Sequence, residues 1–160
     1  MKIIKYFFEF ISIISLFCIF KIIGLRNASN LGSILGRFIG PLFRSRRITK
    51  QNIRIGLGEV DQKKEAEIIN SMWSNIGRTF AEYPFLKDFK FNKTNFDHIK
   101  INGTNYLGEI KKNNVPVIFY SCHIANFELM ALELDKFGIK CAGIYRPLNN
   151  FFLNPLMEYL

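Results

Sequence analysis

The stretch Val115–Met130, VPVIFYSCHIANFELM, constrains the fold more than any other part of the chain. Its run of apolar, β-branched and aromatic residues reads as a buried strand over Val115–Ser121. A turn follows, and then a helix predicted to start near Ala125. His123, one of two histidines, stands at the turn, and Glu128 comes five residues later. A strand whose carboxyl end feeds a helix is where open α/β sheets place their ligand sites. An imidazole there, with a carboxylate in reach, makes a simple general base. Five steps of about 100° put two helical residues about 140° apart, so the pair meets only if His123 precedes the helix. A plainer alternative stands beside this one. Two residues are a weak motif, and a core histidine with a solvated glutamate fits them too.

The flanking segments extend the α/β expectation. Phe96–Ile101 alternates weakly, as a strand does. Thr104 is a candidate cap for a helix over Asn105–Lys112, and the polar turn Lys111–Asn114 leads into the central strand. The crossover helix is expected over Ala125–Phe137, with Gly138 as its stop. Ile139–Tyr145 reads as the next strand, parallel to the first by the usual handedness of such units. That topology brings Arg146 out at the same sheet edge as His123. Arg146 suits a phosphate or a developing negative charge, and a structural salt bridge is the alternative. Asn126 is a hydrogen-bonder at the helix start. Cys122 beside His123 invites a Cys–His nucleophile, but adjacent residues near a strand end usually point to opposite sides; His98 has no acidic partner at meaningful spacing and is read as structural. Pro155 interrupts the last stretch.

The amino-terminal third is of another kind. Residues 2–23 form an apolar run whose uncharged core, Phe10–Phe20, is shorter than the roughly 20 residues of an ideal membrane span. Glu9 is its awkward member. An uncleaved signal-anchor and a helix lying in the interface both fit; a cleaved signal peptide fits less well, since no small-x-small site follows. Gly32, Gly36 and Gly40 make a small-residue stripe along a predicted helix over Ala28–Phe43, which permits close packing on a helix or on lipid. Pro41 should end or kink that helix. Asp61 is a plausible cap for a helix to about Tyr83, with Ile69, Met72, Trp73, Ile76 and Phe80 as its buried face. Pro84 closes it.

Charge is unevenly placed. Residues 1–60 hold 10 Lys and Arg against Glu9 and Glu59, a net of +8, whereas residues 61–160 hold 12 against 11. Drift in an AT-rich genome accounts for many lysines but not for this placement. The cluster Arg44–Lys50 is either a solvated face or a site for anionic headgroups. It lacks the interleaved aromatics of a nucleic-acid surface, so nucleic acid is not an expected partner. By the positive-inside rule the side after residue 23 faces the cytoplasm. Three cysteines without C-x-x-C spacing, and two histidines, leave no legible zinc site or disulfide framework. The three Asn-x-Ser/Thr matches read as chance in an Asn-rich chain.

His123-Ile124-Ala125-Asn126-Phe127-Glu128 is an H-x4-acid box, followed by Tyr145-Arg146-Pro147-Leu148-Asn149-Asn150 and preceded by Arg47–Ile53 of R-x-x-x-x-N-I type. Together these resemble the bacterial lipid A late acyltransferases. The H-x4-acid box alone also fits glycerophosphate acyltransferases; the Y-R-P-x-x-N segment points to the lipid A branch. The resemblance implies an α/β fold: amino-terminal membrane-associated helices, then the start of a mixed or parallel sheet with a βαβ unit. Residues 1–24 would be a membrane anchor and 25–160 part of an acyltransferase domain, since the family's domain continues beyond the Y-R-P segment. It implies transfer of a fatty acyl chain from acyl carrier protein to a hydroxyl of a phosphorylated glucosamine lipid, at the bacterial inner membrane with the catalytic part cytoplasmic. His123 and Glu128 would be catalytic, and Arg146 and Asn126 would bind substrate. No metal or cofactor is implied. An inactive membrane-bound remnant of such an enzyme is the alternative outcome.

Overall fold

The computed structural model describes residues 2–91, 99–144 and 146–159. These form eight α-helices: α1 (Lys2–Ile23), α2 (Leu25–Phe43), α3 (Arg46–Leu57), α4 (Gln62–Glu82), α5 (Leu86–Lys90), α6 (Thr104–Asn113), α7 (Glu128–Lys136) and α8 (Asn154–Tyr159). They fall into two units, Phe17–Tyr83 and the remainder. α1 runs unbroken across that division.

The first unit is built on α2 and α4. Gly24, at φ 80°, breaks the chain between α1 and α2 with a single residue in a backbone conformation open mainly to glycine. The glycine stripe of α2 then meets Gly77 and Ala81 of α4. A Cβ on Gly32 would strike the Gly77 carbonyl oxygen, and one on Gly77 would strike that of Gly32. A Cβ on Gly40 would enter the Trp73 ring. Backbone lies against backbone, as in membrane helix pairs whose small residues allow close approach. Hydroxyls supply the polar contacts. Ser33 and Ser74 share a buried hydrogen bond of 2.7 Å, and Ser29 donates to Glu82 at 2.8 Å. Arg78 donates to Ser29 and Asn30 at 3.2 and 3.1 Å.

Asp61 caps α4 as expected, accepting from the Lys64 amide at 2.9 Å. The buried face of α4 is the expected one only in part. Trp73 and Phe80 pack against Gly40 and Phe17, but Ile76 is exposed. The most deeply buried positions, Ser74, Gly77, Thr79 and Ala81, are small residues that apolar periodicity passes over. α2 continues two residues beyond Pro41, whose missing amide costs a bond only in the last turn. α3, which carries the basic cluster, was not anticipated as a helix. It is held to α4 by Lys50 and Glu65 at 2.6 Å, the carboxylate being buried. Phe17 at the end of this unit's share of α1 packs on Phe80, with ring centroids 5.2 Å apart, and Phe20 is fully buried.

The second unit takes α1 up to Leu16 together with residues from Pro84 onward. The expected sheet is absent: no strand occurs among the described residues. Val115–Ser121 and 139–144 are irregular backbone. Ile118 and Tyr120 are 92% and 93% exposed, and Ile144 is fully so. β-Propensity describes fitness for a half-buried, paired surface. These apolar runs have the propensity, but no neighbouring strand supplies the ladder. With the sheet goes the shared edge that was to unite Arg146 and His123. The strand expected over Phe96–Ile101, and His98, lie largely outside the described residues; 99–101 have no regular structure.

What holds this unit is helical. α5 packs on α7, where Phe89 and Leu134 are buried, and Lys90 pairs with Asp135 at 2.6 Å. α7 stops at Gly138, as its sequence predicts. With φ at 73°, Gly138 donates to Asp135 O at 2.8 Å and Ile139 to Leu134 O at 3.0 Å, a Schellman closure. Thr104 is the first residue of α6 rather than its cap, which is Gly103.

The α2–α4 contact predicts a graded response in thermal unfolding of the full chain in detergent. Gly77→Ala should cost about 1–3 kcal/mol, because neither backbone can give way. Gly56→Ala, on α3 with open space around it, should be neutral or gain up to about 1 kcal/mol.

Candidate active site

The residues around His123 build a tight turn before a helix. The Ile124 amide donates to Cys122 O at 2.8 Å, closing a three-residue turn centred on His123. Ala125 follows at φ 51°, a left-handed backbone that costs a non-glycine residue about 1–2 kcal/mol. Leu129 and Met130 then donate back to Asn126 O and Phe127 O, both at 3.3 Å, and α7 proper begins at Glu128. The helix therefore starts three residues later than Ala125. His123 precedes it, the one arrangement that lets the imidazole and Glu128 share a side of the chain. Glu128 lies in the first turn, where the helix dipole favours a carboxylate.

The imidazole is exposed, and its ring contact is with Phe127, centroids 4.4 Å apart and planes at 63°. No hydrogen bond or ion pair joins His123 to Glu128 or to Arg146 among the described residues. Phe127, from the same box, is the side chain on which the imidazole rests. Asn126 and Glu128 are half-buried at the start of the helix.

Arg146 is exposed, and its guanidinium donates to Asn149 Oδ1 at 3.4 Å. The loop behind it is tied by its own asparagines. Asn154 Oδ1 accepts from the Leu148 amide at 2.9 Å, and Asn150 Oδ1 accepts from Phe152 at 3.2 Å, capping a 3-10 turn over Phe151–Phe152–Leu153. Asn150 is itself buried. Its amide nitrogen donates to Tyr6 O at 2.9 Å and to Glu9 Oε2 at 3.2 Å. Tyr6, Phe7 and Phe10 of α1 meet Phe151 and Phe152 with centroids 6.0–6.3 Å apart. The misfit acid of the apolar helix is thus a hydrogen-bond acceptor for the last residue of the Y-R-P-x-x-N segment, and Lys5 lies 3.7 Å away on its other side. A buried asparagine 141 positions from its carboxylate is beyond any periodicity. The motif's final Asn was the only signal available.

The family model for bacterial lipid A biosynthesis acyltransferases matches residues 1–159. The chain belongs to that family. No curated protein and no solved structure matches it. As a lipid A biosynthesis acyltransferase it takes an acyl donor and a lipid A precursor as acceptor. α1 is one helix long and apolar enough to cross a membrane, in keeping with a membrane-associated family.

In this acyltransferase the Asn150 link makes a prediction separable from chemistry. Asn150→Ala should lower the unfolding free energy by about 1–3 kcal/mol, the range for buried hydrogen bonds including one to a charged group. Asn149→Ala, which loses only an exposed contact to Arg146, should change it by about 0.5 kcal/mol or less. Thermal unfolding with limited proteolysis across residues 146–154 measures both.

Proposed function

We propose that the chain transfers a fatty acyl group from an acyl carrier protein thioester to a hydroxyl of a phosphorylated glucosamine lipid. The family match over residues 1–159 carries this reading. The placement of His123 ahead of α7, with Glu128 in its first turn, supports the assignment of roles. His123 accepts the acceptor's hydroxyl proton as the oxygen attacks the thioester carbonyl. The tetrahedral intermediate collapses, the C–S bond breaks, and the imidazolium returns the proton to the departing thiolate. Glu128 steadies the imidazolium and its tautomer, as the acid does in catalytic triads. This needs a side-chain rotation on substrate binding, since catalytic hydrogen bonds are often long in the free enzyme. Arg146, exposed and bonded to Asn149 at 3.4 Å, can turn its guanidinium to a phosphate or to the developing oxyanion. Asn126 hydrogen-bonds substrate or orients the box from the helix start. The positive charge following α1 supports a cytoplasmic catalytic part at the inner membrane.

The second reading is a membrane-bound family member without turnover. One assay separates them. Detergent-purified full chain is given labelled acyl-carrier protein and a phosphorylated diglucosamine acceptor lipid. Acyl transfer is expected, with His123→Ala slowing it about 10²–10⁴-fold and Arg146→Lys raising KM more than it lowers kcat. Transfer unaffected by His123→Ala would remove the imidazole from the mechanism. No transfer by properly folded wild type would favour the second reading.

A further inference from the structure

The first unit carries a cavity of about 450 Å³ between the end of α2, the start of α3 and α4. Arg37, Arg44, Arg46 and Lys50 line it, with Glu65 as its one carboxylate and Trp73 as its aromatic wall. Four cations against one anion leave a net +3. That anion is already engaged, since Glu65 binds Lys50 at 2.6 Å. Arg37 is tethered to Ser74 Oγ at 3.4 Å. Arg44 and Arg46 have no ion-pair partner among the described residues. α3 begins at Arg46, no acidic residue occupies its first turn, and Ser45 makes no side-chain cap. The open amides of that helix end therefore add to the positive potential over the cavity.

The apolar residues next to the cavity arginines in the chain decide what kind of anion fits. Leu42 and Phe43, at the end of α2 directly before Arg44, are 83% and 82% exposed. Apolar side chains next to unpaired guanidiniums form the pattern of a surface lying at the headgroup level of a bilayer, with hydrocarbon met on one side and phosphate on the other. A soluble acidic protein would satisfy the cations but leave Leu42 and Phe43 wet.

We propose that this cavity is a binding site for the phosphate of an anionic membrane phospholipid, with Arg44 and Arg46 as its principal ligands. The site needs no turnover, so it stands or falls apart from the acyl-transfer reading. It seats α2 and α3 in the interface and holds the first unit against the membrane by more than α1.

Trp73 is the sole tryptophan of the chain, so intrinsic fluorescence reports on this cavity alone. Full chain in neutral-detergent micelles is titrated separately with phosphatidylglycerol, phosphatidylcholine, inorganic phosphate and acyl carrier protein. Phosphatidylglycerol should give a saturable change in Trp73 emission and phosphatidylcholine little. Arg44→Gln with Arg46→Gln should weaken the response about tenfold or more, as expected for the loss of charge-assisted hydrogen bonds. Arg26→Gln with Lys63→Gln, the same loss of charge on the same unit, should leave it within about twofold. Arg44→Glu alone serves if the double variant does not fold. Equal responses to the two phospholipids, or equal weakening by the two double variants, would overturn the proposal. So would a response to inorganic phosphate alone, or to acyl carrier protein and not to phospholipid.

Discussion

The first unit depends on two helices touching through their backbones. The carbonyls of Gly32 and Gly77 each occupy the space a side chain on the other would need. Each glycine forgoes about 1 kcal/mol of helix propensity relative to alanine. In exchange the helices come close enough for dispersion along the stripe and for the buried Ser33–Ser74 hydrogen bond. No hydrophobic driving force between large side chains is required, so Ile34, Phe38 and Ile76 remain outward and exposed. Close packing of this kind is known from membrane helix pairs, where burying leucine against leucine gains little over leaving it in lipid. The same approach sets Trp73 over Gly40 and thereby makes the wall of the basic cavity.

How much of this was legible follows from the range of each interaction. Features settled within one turn of chain were readable. The Asp61 cap, the Gly138 stop and the Gly32–Gly36–Gly40 stripe each need only a few neighbouring residues. Features that depend on a distant partner were not. Val115–Ser121 has the composition of a strand, but a strand exists only with a ladder beside it, and none is present among the described residues. The buried face of α4 was read only in part for a related reason. Amphipathic periodicity finds Trp73 and Phe80, but not the small residues Ser74, Gly77 and Ala81 that the close approach of α2 buries most deeply. Asn150 and Glu9, 141 positions apart, are beyond both kinds of reading.

The candidate site was half readable. The argument that His123 must precede its helix to approach Glu128 rests on helical geometry alone, and α7 begins at Glu128 as that argument requires. The sequence could not show how the delay is achieved. A tight turn at His123 and a left-handed Ala125 push the helix start back by three residues. Backbone strain of this kind persists only where surrounding structure over-determines it, and it gathers at functional sites. Its presence beside the one described histidine is an observation independent of the motif. The link between Arg146 and His123 had a weaker foundation. It rested on a shared sheet edge, and without a sheet each residue is placed by its own local turn.

The placement of charge separates composition from function. An AT-rich genome enriches lysine everywhere, and in the second unit lysines have settled into local partnerships. Lys90 pairs with Asp135, Lys136 with Glu133, Lys111 donates to Phe137 O, and Lys87 sits 3.0 Å from the Tyr159 ring centroid. Composition alone predicts that outcome: excess cations find the nearest acid, carbonyl or aromatic face. In the first unit Lys50, Arg54 and Lys64 are likewise paired, with Glu65, Glu59 and Glu67, and the cavity arginines are the exception. Its cavity cations are largely arginine, which AT-rich drift disfavours, and Arg44 and Arg46 stand together over a helix start with only one carboxylate in the cavity, itself taken by Lys50. Arginines without an ion-pair partner among the described residues, directly after exposed Leu42 and Phe43, are the observation on which the proposed phospholipid site rests.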